Sequence, residues 1–259
     1  LGKKEAAQLV AHKFFNYVAN EDKFEEPKMS EYTHSKRDWV YFFDSAWKFY
    51  KKLSNSHKHS PTLRRIILSK SYFTVGDGFL LKKGRFSSIF RFINKAAKML
   101  GVDTNTNRLV EHLEKINAQN ETLLDVLFKV CYDFYFSGNA YAVVKKVKQG
   151  DKTYIFCYHV KIKNCLPKKA HNGIIEGVYI HDNWRNTRSK EPVLYPLFDG
   201  KTFTELEDGT EAAVFHLKSD DPDHFYFGIP DWIAALLWCE LEYRIGKYNM
   251  AKLDNGLVF

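Results

Sequence analysis

The most restrictive text in the chain lies at residues 122–148, where an apolar run at helical spacing gives way at Gly138-Asn139 to text that alternates with a period of two. Leu123, Leu124, Leu127, Phe128, Cys131, Phe134 and Tyr135 fill two adjoining stripes, which predicts a largely buried helix over 122–136. Gly and Asn are the residue types that best tolerate a left-handed backbone, so together they can end that helix and start a strand with no loop between them. Strand text follows over 140–148 and 153–163, joined at Gln149-Gly150-Asp151, which predicts a hairpin. Any fold for this chain must therefore lay a buried helix directly against an antiparallel pair.

Around this unit the sequence alternates helical and loop-like text. Helices are expected over 5–20, 38–53, 85–100 and 107–118, with a polar stretch over 21–37 broken by Pro27. Within 38–53, Trp39, Phe42, Phe43, Ala46, Trp47 and Tyr50 recur at three- and four-residue spacing. The run Ser54-Asn55-Ser56-His57-Lys58-His59-Ser60 looks like a solvated linker, with His57 and His59 in water. Ser60-Pro61 is a strong helix start, a hydroxyl cap followed by proline in the first turn, and Gly76-Asp77-Gly78 stops the helix it opens. Shorter strands are expected over 174–182, 201–206 and 212–217, and a last helix over 230–255, opened by Pro230 and Asp231. The fold class is α+β: a helical layer packed on an antiparallel sheet, with one long helix leaving it.

With 45% hydrophobic residues and 16% aromatics, the 259-residue chain belongs with folded globular proteins, and its rings exceed what a minimal core needs. Lysine and arginine number 39 against 31 acidic residues, a net charge of +8 that suits a polyanionic partner but is also what scattered solvated lysines produce. Cys131, Cys157, Cys165 and Cys239 form no C-x-x-C pair and no secretory leader is visible, so reduced thiols are expected. No apolar run approaches the roughly 20 residues a bilayer span needs, and no membrane partner is expected.

Four stretches, in order, resemble the portal proteins of tailed bacteriophages. The first runs from Ser60-Pro61-Thr62-Leu63 to Val75-Gly76-Asp77-Gly78-Phe79. The second is Gly138-Asn139-Ala140-Tyr141 after the buried helix. The third is Ala213-Val214-Phe215-His216-Leu217-Lys218 and a loop to Gly228-Ile229-Pro230. The fourth is the helix from Trp232 to Asn255-Gly256. The resemblance covers residues 61–259. It implies a wing-like α+β domain over 61–229, a stem helix over 230–259, and an N-terminal helical or linker region over 1–60. A full portal continues into a clip, a second stem helix, a tunnel loop and a crown, so the resemblance implies a fragment that stops at the clip. It also implies a structural ring subunit, typically a dodecamer, at one capsid vertex. Such a ring sits in the virion, is assembled in the host cytoplasm, conducts double-stranded DNA, and docks terminase, capsid and head-completion proteins. No enzyme activity, cofactor or metal is expected. Gly76, Gly78, Gly138, Asn139, Ala140, Tyr141, His216, Gly228 and Pro230 carry the structural signature, and Arg244, Lys247 and Lys252 are the residues expected to face the channel or a partner.

Other constellations compete with this reading. Cys157, His159, Cys165 and His171 are zinc-compatible types without zinc-site spacing; Cys157 and His159 are expected simply to share one strand face. Asp220, Asp221, Asp223 and His224 could hold a hard cation or supply an acid and a base, which would make a metal-dependent phosphodiester enzyme; such residues beside Pro222 are more commonly turn formers. Gly76-Asp77-Gly78 lacks the rest of a phosphate loop. Trp184-Arg185-Asn186-Thr187-Arg188-Ser189-Lys190 combines a ring with three cations, as a single-strand nucleic-acid-binding module does, though a surface loop anchored by its Trp explains the same residues.

Overall fold

The computed structural model describes residues 32–33, 36–43, 46–76, 115–150 and 152–254. The helices expected over 5–20, 85–100 and 107–114, the break at Pro27, and Asp77, Gly78, Asn255 and Gly256 lie outside them.

The aromatic segment after Arg37 does not form the helix its spacing predicts. Strand β1 (Tyr32–Thr33) pairs antiparallel with β2 (Val40–Tyr41), and the helix starts only at α1 (Lys48–His59). Trp39 to Phe43 are all buried, and Phe43 and Trp47 take positive φ, 62° and 58°. Five successive buried side chains are spent on one shared core, where Phe42 meets Phe49 and Phe227 edge-on at 5.4 and 5.0 Å. Tertiary packing here overrides a helical pattern. The polar run 54–59, in turn, is the second half of α1, not a linker. Ser56 is buried, His57 Nε2 lies 2.6 Å from the Tyr132 hydroxyl, and the His59 ring stacks on Tyr243 at 4.3 Å.

Ser60 joins two helices. Its N–H donates to the Ser56 carbonyl at 2.9 Å, closing α1, and its Oγ accepts from Leu63 N at 3.1 Å, opening α2 (Pro61–Val75). Helix α2 ends at Gly76, φ 66°, whose N–H donates to the Tyr72 carbonyl. Residues 115–118 are bend and turn, not the end of a helix, and the Ile116 carbonyl accepts from Cys157 N at 3.1 Å. Helix α3 (Leu123–Ser137) opens with a reciprocal cap between Thr122 and Asp125.

From α3 the chain enters β3 (Asn139–Gln149), turns at Gly150 (φ 60°) and returns as β4 (Lys152–Val160). A 3-10 turn (Ile162–Asn164) leads to β5 (Cys165–Pro167), then β6 (Gly177–Ile180), β7 (Val193–Pro196), β8 (Thr204–Glu205) and β9 (Glu211–Lys218). The first sheet has the order β4-β3-β9-β8 and the second β5-β6-β7, with antiparallel pairing throughout. Strands β5 and β7 had no counterpart in the sequence reading.

Period two decides how the first sheet is sandwiched. Ala140, Ala142, Cys157 and Phe215 face α3, against Val126 and Val130. Tyr141, Val143 and Val214 face the other way, into a core that gathers Trp39 to Phe43, Phe49, Leu53, Leu63 and Ile67, the second sheet, Phe227 and Cys239. A last 3-10 turn (Asp231–Ala235) opens helix α4 (Leu236–Asp254). Pro230, φ −69° and ψ 139°, stands just ahead of that turn and so outside the helical geometry. The α+β class is thus the one observed, ending in one long helix.

Candidate functional site

Two places collect the residues that the sequence singled out: the joint between α3 and β3, and helix α4. At the joint Gly138 takes φ 75° and its N–H donates to the Phe134 carbonyl at 2.8 Å. Its carbonyl accepts from Ser219 N at 2.8 Å. Asn139, fully buried, works as a clamp across 89 residues: its Oδ1 accepts from Gly228 N and its Nδ2 donates to the Gly228 carbonyl, both at 2.8 Å. His216 Nε2 lies 3.3 Å from the same Oδ1, and its ring stacks on Tyr141, the cross-strand partner, at 4.4 Å. Ala140 is buried on the opposite face of the same strand. The structure therefore brings Gly138, Asn139, Tyr141, His216 and Gly228 into one knot, and Gly76 and Pro230 stand apart from it as helix punctuation. Each buried amide in the knot is paired, the condition under which such groups contribute about 1 kcal/mol each and specify one arrangement.

Burial against Tyr141, with the Lys218 cation adding to it, lowers the pKa of His216 to about 3. An unfolded histidine titrates near 6.5, so between these values the unfolded chain holds a proton that the folded one does not. The contribution is therefore fully present above pH 6.5 and is lost as pH falls, with a slope of about 1.4 kcal/mol per pH unit where the difference is one proton. His57, also shifted down, chiefly by burial and then by Arg64 and Lys58, acts in the same direction. Urea melts between pH 7 and 5, above most carboxylate titrations, are expected to show this loss, and His216→Gln to flatten it. An equal slope in His216→Gln would assign the acid sensitivity elsewhere.

Helix α4 is held to the body by one side only. Leu236 and Cys239 are buried, Glu242 accepts from the hydroxyls of Ser60 and Thr62 (2.8 Å for Thr62), and Tyr243 stacks on His59. The two hydroxyl donors hold the Glu242 carboxyl below its usual range. None of these four contacts was read from the sequence, since each depends on which way the helix is turned. Ile233, Leu237, Leu241, Ile245 and Tyr248 recur at three- and four-residue spacing, a pattern that predicts a packing face, yet its middle points out: Leu237 is 55% exposed, Leu241 43% and Ile245 51%, with Trp238 beside them at 69%. Ile233, before the helix proper, packs against the core.

Arg244 Nε bonds Glu240 Oε1 at 3.1 Å, Lys247 lies over the Tyr243 ring at 4.7 Å, and Lys252 over the Tyr248 ring at 4.9 Å. Arg244 and Lys247 share a helix edge beside the apolar stripe. Lys252, five residues past Lys247, is rotated by about 140° from it at 3.6 residues per turn, so the three cations do not form one face.

The rival sites come apart in the structure. Cys157 and His159 do share a strand face, both toward α3, where burial pushes the Cys157 thiol up to about 11 and His159 Nε2 meets Asp133 Oδ2 at 2.7 Å. Cys165 is buried in the second sheet and His171 closes a turn on Ile174. Among the described residues no three His, Cys, Asp or Glu side chains gather as a metal site. Asp221 Oδ1 accepts from Asp223 N at 3.0 Å and faces His224 Nδ1 at 2.7 Å, a turn that presses the His224 ring on Phe43. Trp184 is not a free stacking ring: it packs on Trp39 at 5.4 Å and His181 at 5.6 Å. No described helix is long and apolar enough to cross a membrane.

No family model matches this chain, and no curated protein does. Among solved structures, it is similar to a chain in the neck of an empty gene transfer agent particle computed with C6 symmetry (15% identity, TM-score 0.43, covering 64% of this chain and 43% of that one). A chain from the neck of the native particle computed with C12 symmetry matches at 15% identity and TM-score 0.41, covering 64% and 41%. One from the virion of the native particle matches at 14% and 0.43, covering 74% and 45%. The chain spans less than half the length of these structural neighbours.

Proposed function

We propose that this chain is a structural virion component of the portal type, a subunit that closes with copies of itself into a ring through which double-stranded DNA passes. The observation that carries the proposal is the unburied apolar stripe of α4, Leu237, Trp238, Leu241 and Ile245, on a helix otherwise docked to the body. A buried Leu, Ile or aromatic side chain contributes roughly 1.5–3 kcal/mol, so leaving four in water on one rigid helix calls for a partner surface. A neighbouring copy presenting a different face would cover it by a head-to-tail contact, the kind that closes into rings. The ordered motifs from Ser60-Pro61 to the last helix supply the portal assignment, and the knot at Gly138 supplies the rigid body that such a helix needs.

In this reading the subunit does no chemistry of its own. Its partners are itself, DNA, and the terminase, capsid and head-completion proteins that dock on a portal ring. Arg244 and Lys247, beside the stripe, are placed near the channel or a docking partner. Arg244→Glu with Lys247→Glu is expected to leave the subunit folded at a cost of about 1 kcal/mol, since it gives up the part-buried Arg244–Glu240 pair and sets two carboxylates one helical turn apart. The same change is expected to impair DNA packaging by the full-length ring in vitro. Normal packaging by normal rings would remove these two residues from the account, and unfolded protein would make them packing groups instead.

A further inference from the structure

Loop 181–190 is more constrained than its polar composition suggests. His181, buried, staples both ends: its Nδ1 accepts from Asn183 N at 2.9 Å and its Nε2 faces the Lys190 carbonyl at 2.9 Å, an oxygen that can only accept. Trp184 plugs the loop into Trp39, and Ser189 Oγ donates to the Asn186 carbonyl at 3.2 Å. Arg37, 150 residues away in sequence, reaches across, with Nη1 donating to Thr187 Oγ1 at 3.0 Å and its guanidinium 4.9 Å from the Trp39 ring centroid. Arg37, Arg185, Arg188 and Lys190 thus stand exposed on one fixed frame. Among the described residues no carboxylate forms an ion pair with any of them.

We infer that this frame is a docking surface for the phosphate backbone of duplex nucleic acid. Residues 185–190 contain no apolar side chain, only Arg, Asn, Thr, Arg, Ser and Lys. A protein partner would need apolar or aromatic anchors at the centre of its interface, whereas phosphates are held by Arg and Lys with neutral donors between them. Base stacking, which single-strand binders use, is denied because Trp184 is spent on Trp39 and His181. Contact is therefore to backbone alone, indifferent to sequence, and it requires neither the ring nor helix α4.

The test is fluorescence anisotropy of a labelled random-sequence duplex with the 259-residue chain, titrated across about 50–200 mM salt. The substitutions Arg185→Gln, Arg188→Gln and Lys190→Gln together are expected to lower the slope of log K against log salt by about 3, at about 0.9 per phosphate contact, and to weaken binding at least about tenfold at the low-salt end. Circular dichroism should show the wild-type fold, because the staple and the Trp plug are untouched. The same drop is expected in a background already carrying Arg244→Gln and Lys247→Gln, which separates this surface from the helix. A folded triple variant with unchanged affinity and slope overturns the inference. So does clear preference for single strands, or displacement of the duplex by poly-glutamate as efficiently as by unlabelled DNA, the latter pointing to an acidic protein.

Discussion

Gly138→Val is expected to abolish the native fold, with no cooperative melt above room temperature. Strain alone, a β-branched residue held at φ 75°, costs about 1–3 kcal/mol. The larger effect is collision, because a Cβ at this position would lie 2.5 Å from the Ile229 carbonyl carbon and 2.8 Å from that of Gly228. Both are backbone atoms in a clamp closed by Asn139, and neither can swing aside. Gly228 is hemmed in reciprocally, with a Cβ there falling 2.4 Å from the Gly138 carbonyl oxygen, so Gly228→Ala should fail in the same way. Gly76→Ala is the contrast: at φ 66° and ψ −161° an alanine is strained by about 1–3 kcal/mol, but nothing lies within 4 Å of the added Cβ, so strain acts there without collision. Thermal melts of the three variants give the answer, and a Gly138→Val protein that melts like Gly76→Ala would mean the joint is not close-packed.

The contrast between these glycines shows what the sequence made legible. Gly138-Asn139 and Ser60-Pro61 were readable because their signals are local: a residue type that tolerates or supplies one backbone geometry at one point. The hairpin at Gly150 was readable for the same reason. That Gly138 also touches Ile229 was not, since the contact spans 91 positions of chain and has no periodic signature. Trp39 to Phe43 misled because rings at three- and four-residue spacing mark a helix only when a single face is buried, and here five consecutive side chains are. His57 and His59 misled because Ser, Asn and Lys suggest solvent, yet Tyr132 and Tyr243 lie within reach of the two rings. Strands β5 and β7, three and four residues long, are set by their pairing with β6, which composition does not encode. At the candidate site the stripe on α4 was visible, but not its direction, which Ser60, Thr62 and His59 determine by gripping Glu242 and Tyr243.

Leu237→Gln, Leu241→Gln and Ile245→Gln together are expected to leave the subunit folded and to eliminate its self-association. All three side chains are more than two-fifths exposed in the isolated chain, and Gln is a good helix former, so the melting temperature should move by only a few degrees. If a neighbouring copy buries them, each substitution removes about 1.5–3 kcal/mol per contact, and the loss repeats at every interface around a closed ring. Pairing the triple variant with a melt distinguishes an interface from a misjudged core: folded monomers support the former, and collapse of the melt supports the latter.

The central claim, a ring-forming portal-type subunit, is tested most directly by electron micrographs of the purified full-length protein. The account predicts closed rings of uniform symmetry with a central hole wide enough for duplex DNA, replaced by single subunits in the Leu237, Leu241 and Ile245 triple variant. Folded wild-type protein that stays monomeric at concentrations where the stripe would be covered would contradict it.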